Sequence, residues 1–104
     1  MAEYRLSPDA ESDLLAIARY TREAWGEPQL AQYEAALTAC FERLGEDGPQ
    51  ASQRVPGLTH IRKSRCEHHV IFSLHRPGTP PSVIAVFHEK MDLMQRLAAR
   101  LDEQ

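Results

Sequence analysis

At Leu58 the spacing of apolar residues changes, and that change constrains the fold more than any other feature of the chain. Before it, mainly apolar residues recur every three or four positions, as one face of a helix demands. Ala10, Leu14, Ile17, Ala18, Thr21 and Trp25 form one stripe, and Leu30, Tyr33, Leu37, Cys40, Phe41 and Leu44 form a second. After it come three short runs, 58–63, 66–74 and 83–87, rich in β-branched and aromatic residues. Turn signals such as Pro77-Gly78 and Pro80-Pro81 separate them. Two helices followed by a three-stranded meander is the order this implies.

Local punctuation supports it. Ser7 is a hydroxyl N-cap and Pro8 takes the first helical position, where a missing N–H costs nothing. Asp9, Glu11 and Asp13 place negative charge where the helix dipole favours it. Gly26 ends this helix, a second begins near Glu27-Pro28, and Gly45 closes it. So short a link makes the two an antiparallel hairpin. Residues 45–57 read as a loop, and residues 4–6 as a short edge strand. In the run 66–74, His68, Val70, Phe72 and Leu74 share one face, and His69, Ile71, Ser73 and His75 the other. The first set is the more apolar and is expected to face the hairpin. Asp92 with Gln95 reads as a capping box, followed by a stripe of Leu93, Met94, Leu97, Ala98 and Leu101, with Arg96 and Arg100 off it. The fold class is therefore α+β: an N-terminal edge strand, an antiparallel helical hairpin packed on a three-stranded antiparallel sheet, and a short C-terminal helix.

With 104 residues the chain is expected to form a single domain over 1–104. It has no apolar run near the ~20 residues that cross a bilayer. Residues 1–4 lack a signal-peptide pattern, so a cytoplasmic location without membrane contact is expected. Cys40 and Cys66 lie far apart and outside any CxxC, and read as buried free thiols. Net charge is −3, unevenly divided. Residues 1–53 carry four arginines against ten acids, net −6; residues 54–104 carry eight Lys/Arg against five acids, net +3, and all five histidines. The basic half is where an anionic partner would go, although +3 is weak for a nucleic-acid binder.

The motifs, in their order and spacing, resemble ParE-type toxins of bacterial toxin–antitoxin pairs. They are Tyr20, Trp25-Gly26, Tyr33, Pro56-Gly57-Leu58, His69-Val70-Ile71-Phe72 and His88-Glu89-Lys90-Met91-Asp92, and the likeness runs over roughly residues 4 to 97. It implies the RelE/ParE-like fold and a growth-inhibiting toxin of a type II system, of the kind that stabilises plasmids. Such a toxin acts on DNA gyrase by binding and is neutralised by a ParD-like ribbon-helix-helix antitoxin. Together they form a hetero-oligomer that meets operator DNA only through the antitoxin. Two departures stand out: Ser73 occupies a position where tyrosine is common, and Thr59-His60 replaces the usual Leu-Arg.

RelE-like relatives of this fold instead cleave messenger RNA, which requires a proton acceptor, a proton donor and cations around the phosphorane. Here the central-strand position for an arginine is His69, preceded by His68 rather than tyrosine, and no tyrosine follows Tyr33. A His69/His88 pair on neighbouring strands keeps the ribonuclease as an alternative, beside a non-toxic interaction module. The expectation is no catalytic residue, no cofactor and no metal: His68 and His69 point to opposite faces, and His69 and His75 lie roughly 20 Å apart along a strand. Target-binding candidates are Arg62, Lys63, Arg65, His69, His88 and Lys90. Antitoxin-binding candidates are Leu30, Leu37, Leu44, Leu93 and Leu97. Tyr20 and Trp25 read as packing inside the hairpin, and the tail helix either as core or as a segment offered to a partner.

Overall fold

The structure, a computed structural model, describes residues 3–102 apart from the side chains of residues 49 and 51. Met1 and Ala2, read above for a leader, lie outside the described residues. The elements run β1 (Arg5–Leu6), α1 (Pro8–Trp25), α2 (Glu27–Asp47), a 3₁₀ turn (Gly48–Ala51), β2 (Gln53–Val55), β3 (Leu58–Cys66), β4 (His69–Leu74), β5 (Ser82–His88) and α3 (Leu93–Asp102). The α+β class and the hairpin are as expected. The sheet is larger, five strands in the order β1-β5-β4-β3-β2.

The additional strand, β2, falls in the segment read as a loop. It pairs antiparallel with β3 through Arg54↔Arg62 and Val55↔Leu58. The connection is Pro56-Gly57, with Gly57 at φ 83°, the proline-then-glycine chemistry of a type II turn. At the opposite margin β1 lies parallel to β5, with Arg5↔Ser82 and Leu6↔Val83. Beyond β1, the Val86 N–H donates to Asp13 Oδ2 at 3.0 Å, so a side chain from α1 takes the place of a strand.

Both faces of the sheet are covered, and the covering is the reverse of the expectation. The hairpin packs on the face that carries Ile71, Val83, Val86 and Cys66, using Ala10, Leu37, Phe41 and Leu44. Val70, Phe72, Ile84 and Phe87 form a second core on the other face, where Leu97 is buried and Leu93 and Leu101 pack against it. The comparison of the two faces failed because α3 needs an apolar floor too. A strand buried on both sides reads as a continuous apolar run rather than as alternation.

Helix α3 is core, not a detached segment, and Arg100 locks it. Its guanidinium turns inward to meet Asp13 in a two-pronged pair at 3.0 Å on each prong, and donates to the Ile84 carbonyl at 2.8 Å. It also lies 5.0 Å from the Phe87 ring centre. At the start of α3, Asp92 Oδ1 accepts the Gln95 N–H at 3.2 Å, the cap expected from sequence.

Gly45 does not close α2, which continues to Asp47. Its role is close approach: a Cβ there would sit 2.6 Å from the Glu3 carbonyl oxygen. The N-terminal segment leading into β1 thus lies directly on the helix backbone. Gly45→Ala is expected to destabilise the fold by about 1–3 kcal/mol, as overpacking does, despite alanine's higher helix propensity. A urea melt checks this; an unchanged or raised midpoint would refute it. Cys40 and Cys66 are likewise not free thiols but a disulfide that ties α2 to β3. Sequence spacing hid this, because the hairpin fold brings the two together across a separation of 26 residues.

Candidate functional site

The stripe of α1 turns Ala10, Leu14, Ile17 and Thr21 toward the sheet. By Trp25 the helix has run past the strands that would cover it. Trp25 is 70% exposed, and Tyr20, one residue off the stripe, is 68% exposed. Neither packs inside the hairpin as expected. Both overhang a groove of about 700 Å³ between the C-terminal half of α1, the β3–β4 turn and the exit of β5. Ile17, Thr21, Tyr33, His69 and His88 line it within, and Met91, Glu67 and His68 stand at its rim.

The floor is a chain of rings. His69 and His88 are register partners on β4 and β5, with ring centres 5.3 Å apart and edge to face. Tyr33, from α2, stacks edge-on to His69, and its hydroxyl is hydrogen-bonded to His69 Nδ1. The His68 backbone also lies within hydrogen-bonding reach of the phenol oxygen, which favours the ionised phenol but is outweighed by burial. His88 accepts the Lys90 N–H on Nδ1 at 3.1 Å.

Burial sets the charge state of this floor. It pushes the His69 imidazolium down to about 4, helped by the neighbouring His88 and His68. It raises the Tyr33 phenol, so both partners are neutral at pH 7. The unfolded chain takes up a proton on this ring near the ordinary value of 6.5, and the folded chain only near 4. Stability is therefore full above pH 6.5 and declines as the pH falls toward 4. Urea melts at pH 7.5 and 5.0 are expected to show this loss, and His69→Gln is expected to shrink it; an equal loss in the variant would remove His69 as its source.

The six target-binding candidates do not form one patch. His69 and His88 meet in the groove. Arg62 is turned to Ser52, donating to its hydroxyl and carbonyl oxygens at 2.9 Å each. Lys63 and Arg65 line a separate shallow hollow with Gln53 and Leu93 on the α3 side of the sheet. Arg65 is paired with Glu89, and His68 holds the other oxygen of the same carboxylate at 2.9 Å. The Arg65 guanidinium, then His68, keep Glu89 down at about 2. Lys90 is exposed outside the groove. Of the antitoxin candidates, Leu30 and Leu37 are buried yet line a small hollow of about 110 Å³ between α1 and α2. Leu44 lies in the hairpin core, Leu97 is buried under α3, and Leu93 is half-buried. Tyr20, Glu67 and Met91 are site residues that periodicity did not single out, whereas Trp25 and Tyr33 stood in its two stripes but were not read as site residues. Trp25 stands at the very end of its stripe, and that position was the signal available for it.

An aromatic groove with the uncharged His69–Tyr33 pair in its floor suits recognition of another protein. A hairpin on one face of a short antiparallel sheet, closed by a tail helix on the other, is also the fold of a known class. A chain of the chromosomal ParDE toxin–antitoxin system from P. aeruginosa superposes with a TM-score of 0.72, over 85% of this chain and 96% of that one, at 14% identity. A family model for the ParE toxin of the type II toxin–antitoxin system parDE matches residues 4–93. Toxin ParE of Escherichia coli is 47% identical over 104 residues, covering 97% of this chain and 98% of that protein. Toxin ParE1 of Caulobacter vibrioides is 34% identical over 98 residues, covering 93% and 99%. The chain belongs to the ParE toxin family of type II toxin–antitoxin systems. Among the described residues, no helix is long and apolar enough to cross a membrane.

Proposed function

We propose that this protein is the toxin of a ParDE-type pair, that it inhibits DNA gyrase in the cytoplasm by binding it, and that it is not an enzyme. A cognate ParD-like ribbon-helix-helix antitoxin neutralises it within a hetero-oligomer and supplies the contact with operator DNA. The observation that carries this reading is the groove, with exposed Trp25, Tyr20 and Met91 around the uncharged His69–Tyr33 pair. These are the side-chain types that dominate protein–protein binding energy. The alternative, RNA cleavage, needs free cations around a reactive base. Arg62 and Arg65 are occupied by Ser52 and Glu89, and a His69 that protonates only near pH 4 is a weak base. For the antitoxin, the hollow floored by Leu30 and Leu37 is the contact we favour.

Purified toxin is expected to inhibit gyrase supercoiling and to leave a translating ribosome's message intact, with the antitoxin restoring supercoiling. Cleaved message with unaffected gyrase would instead establish the RelE-like ribonuclease. Inertness in both assays would establish an interaction module without toxicity.

A further inference from the structure

Glu67 is the one acidic side chain that lines the aromatic groove, and among the described residues it has no ion pair. Its neighbour Glu89 is held by Arg65 and His68, so the nearest cations are already committed elsewhere. Glu67 also stands in the left-handed region at φ 56°, the only described non-glycine residue at positive φ. Glycine or asparagine would occupy that turn position with less strain. A strained carboxylate on the rim of a groove that two exposed aromatic rings overhang is a pattern found where a ligand is gripped.

We propose that this groove takes a segment of the toxin's target protein in which an arginine or lysine adjoins a large apolar side chain. The apolar side chain packs among Trp25, Ile17 and Met91, and the cation meets Glu67 and the face of Tyr20 or Trp25. This rests on the reading of the protein as a toxin that works by binding. Chemistry favours that occupant on three counts. A cation set against aromatic faces gains from the ring quadrupole, and more so once desolvated. A carboxylate opposite it accepts a charge-assisted hydrogen bond, two from an arginine fork. The helical half of the chain, which supplies Tyr20 and Trp25, carries a net −6 and draws in positive segments while repelling nucleic acid.

The test is binding of the full chain to immobilised gyrase holoenzyme, with the antitoxin as a second analyte. Trp25→Ala and Glu67→Lys are each expected to weaken gyrase binding by about 30-fold or more, the scale of a hot-spot loss. Glu42→Lys, an equal charge change on an exposed part of α2 outside the groove, should stay within about twofold, as rim charges do. Glu67→Gly separates recognition from folding. It is expected to raise the melting temperature by relieving the left-handed residue, yet to weaken binding about tenfold or more by removing the carboxylate.

If wild-type toxin binds gyrase and all the groove variants bind equally well, the groove assignment is wrong and the toxin reading stands. Weakening by Trp25→Ala with none by Glu67→Lys overturns the cation. Loss of antitoxin binding with gyrase binding intact gives the groove to the antitoxin and overturns the proposal. Saturable binding of single-stranded DNA that Trp25→Ala abolishes, with gyrase binding unchanged, also overturns it. No binding of wild type to gyrase overturns both readings together.

Discussion

Reduction of the Cys40–Cys66 disulfide is expected to lower the unfolding free energy by about 3–4 kcal/mol, the chain-entropy value for a loop of this length. The bond joins residues 26 apart and ties α2 to β3, two elements that otherwise meet through few side chains. Cys66 is the register partner of His69, and Cys40 lies two helical turns beyond Tyr33. The cross-link therefore fixes the helix carrying the phenol against the strand pair carrying the imidazole. Urea melts with and without a thiol reductant measure the effect, with Cys40→Ser as the control that should not respond. Identical melts for wild type, together with two titratable thiols in the denatured protein, would mean that no such bond forms.

Replacing Arg100 by alanine is expected to cost about 3 kcal/mol or more, because it strands Asp13 as an unpaired, mostly buried carboxylate. The side chains of Arg100 and Asp13 are 15% and 16% exposed. Three elements lose a shared fastening at once, since Asp13 also holds the Val86 N–H and Arg100 the Ile84 carbonyl. Arg100→Lys should recover only part, for an ammonium cannot reproduce the two-pronged geometry. The combined Asp13→Asn and Arg100→Met change is expected to recover more. It retains an acceptor for Val86 and leaves no isolated charge. A change below about 1 kcal/mol in Arg100→Ala would show that the pair is as weak as an exposed one.

Most of the element order was legible in the sequence, and the reasons are local. Ser7-Pro8, Gly26 and Asp92 mark helix ends by chemistry that does not depend on the rest of the fold. What depends on distant packing was not legible. From the sequence Arg100 reads only as a residue off the apolar stripe of the tail helix, because nothing in the order of residues places Asp13 beneath it. Val70 and Phe72 were assigned to the hairpin because a helix on the opposite face cannot be seen from one strand's pattern. Strand β2 is too short for periodicity, although Pro56-Gly57 between Val55 and Leu58 was a turn signal at hand. Of the site, the His69/His88 pairing was open to strand-neighbour reasoning. The exposure of Trp25 was not, since periodicity places a residue on a face without showing what covers that face.

The outer strands of the sheet are only two and three residues long, and beyond β1 the backbone of β5 is taken up by Asp13. Little ribbon is left on which an identical molecule could lay down a matching strand, which is how sheet proteins stack into aggregates.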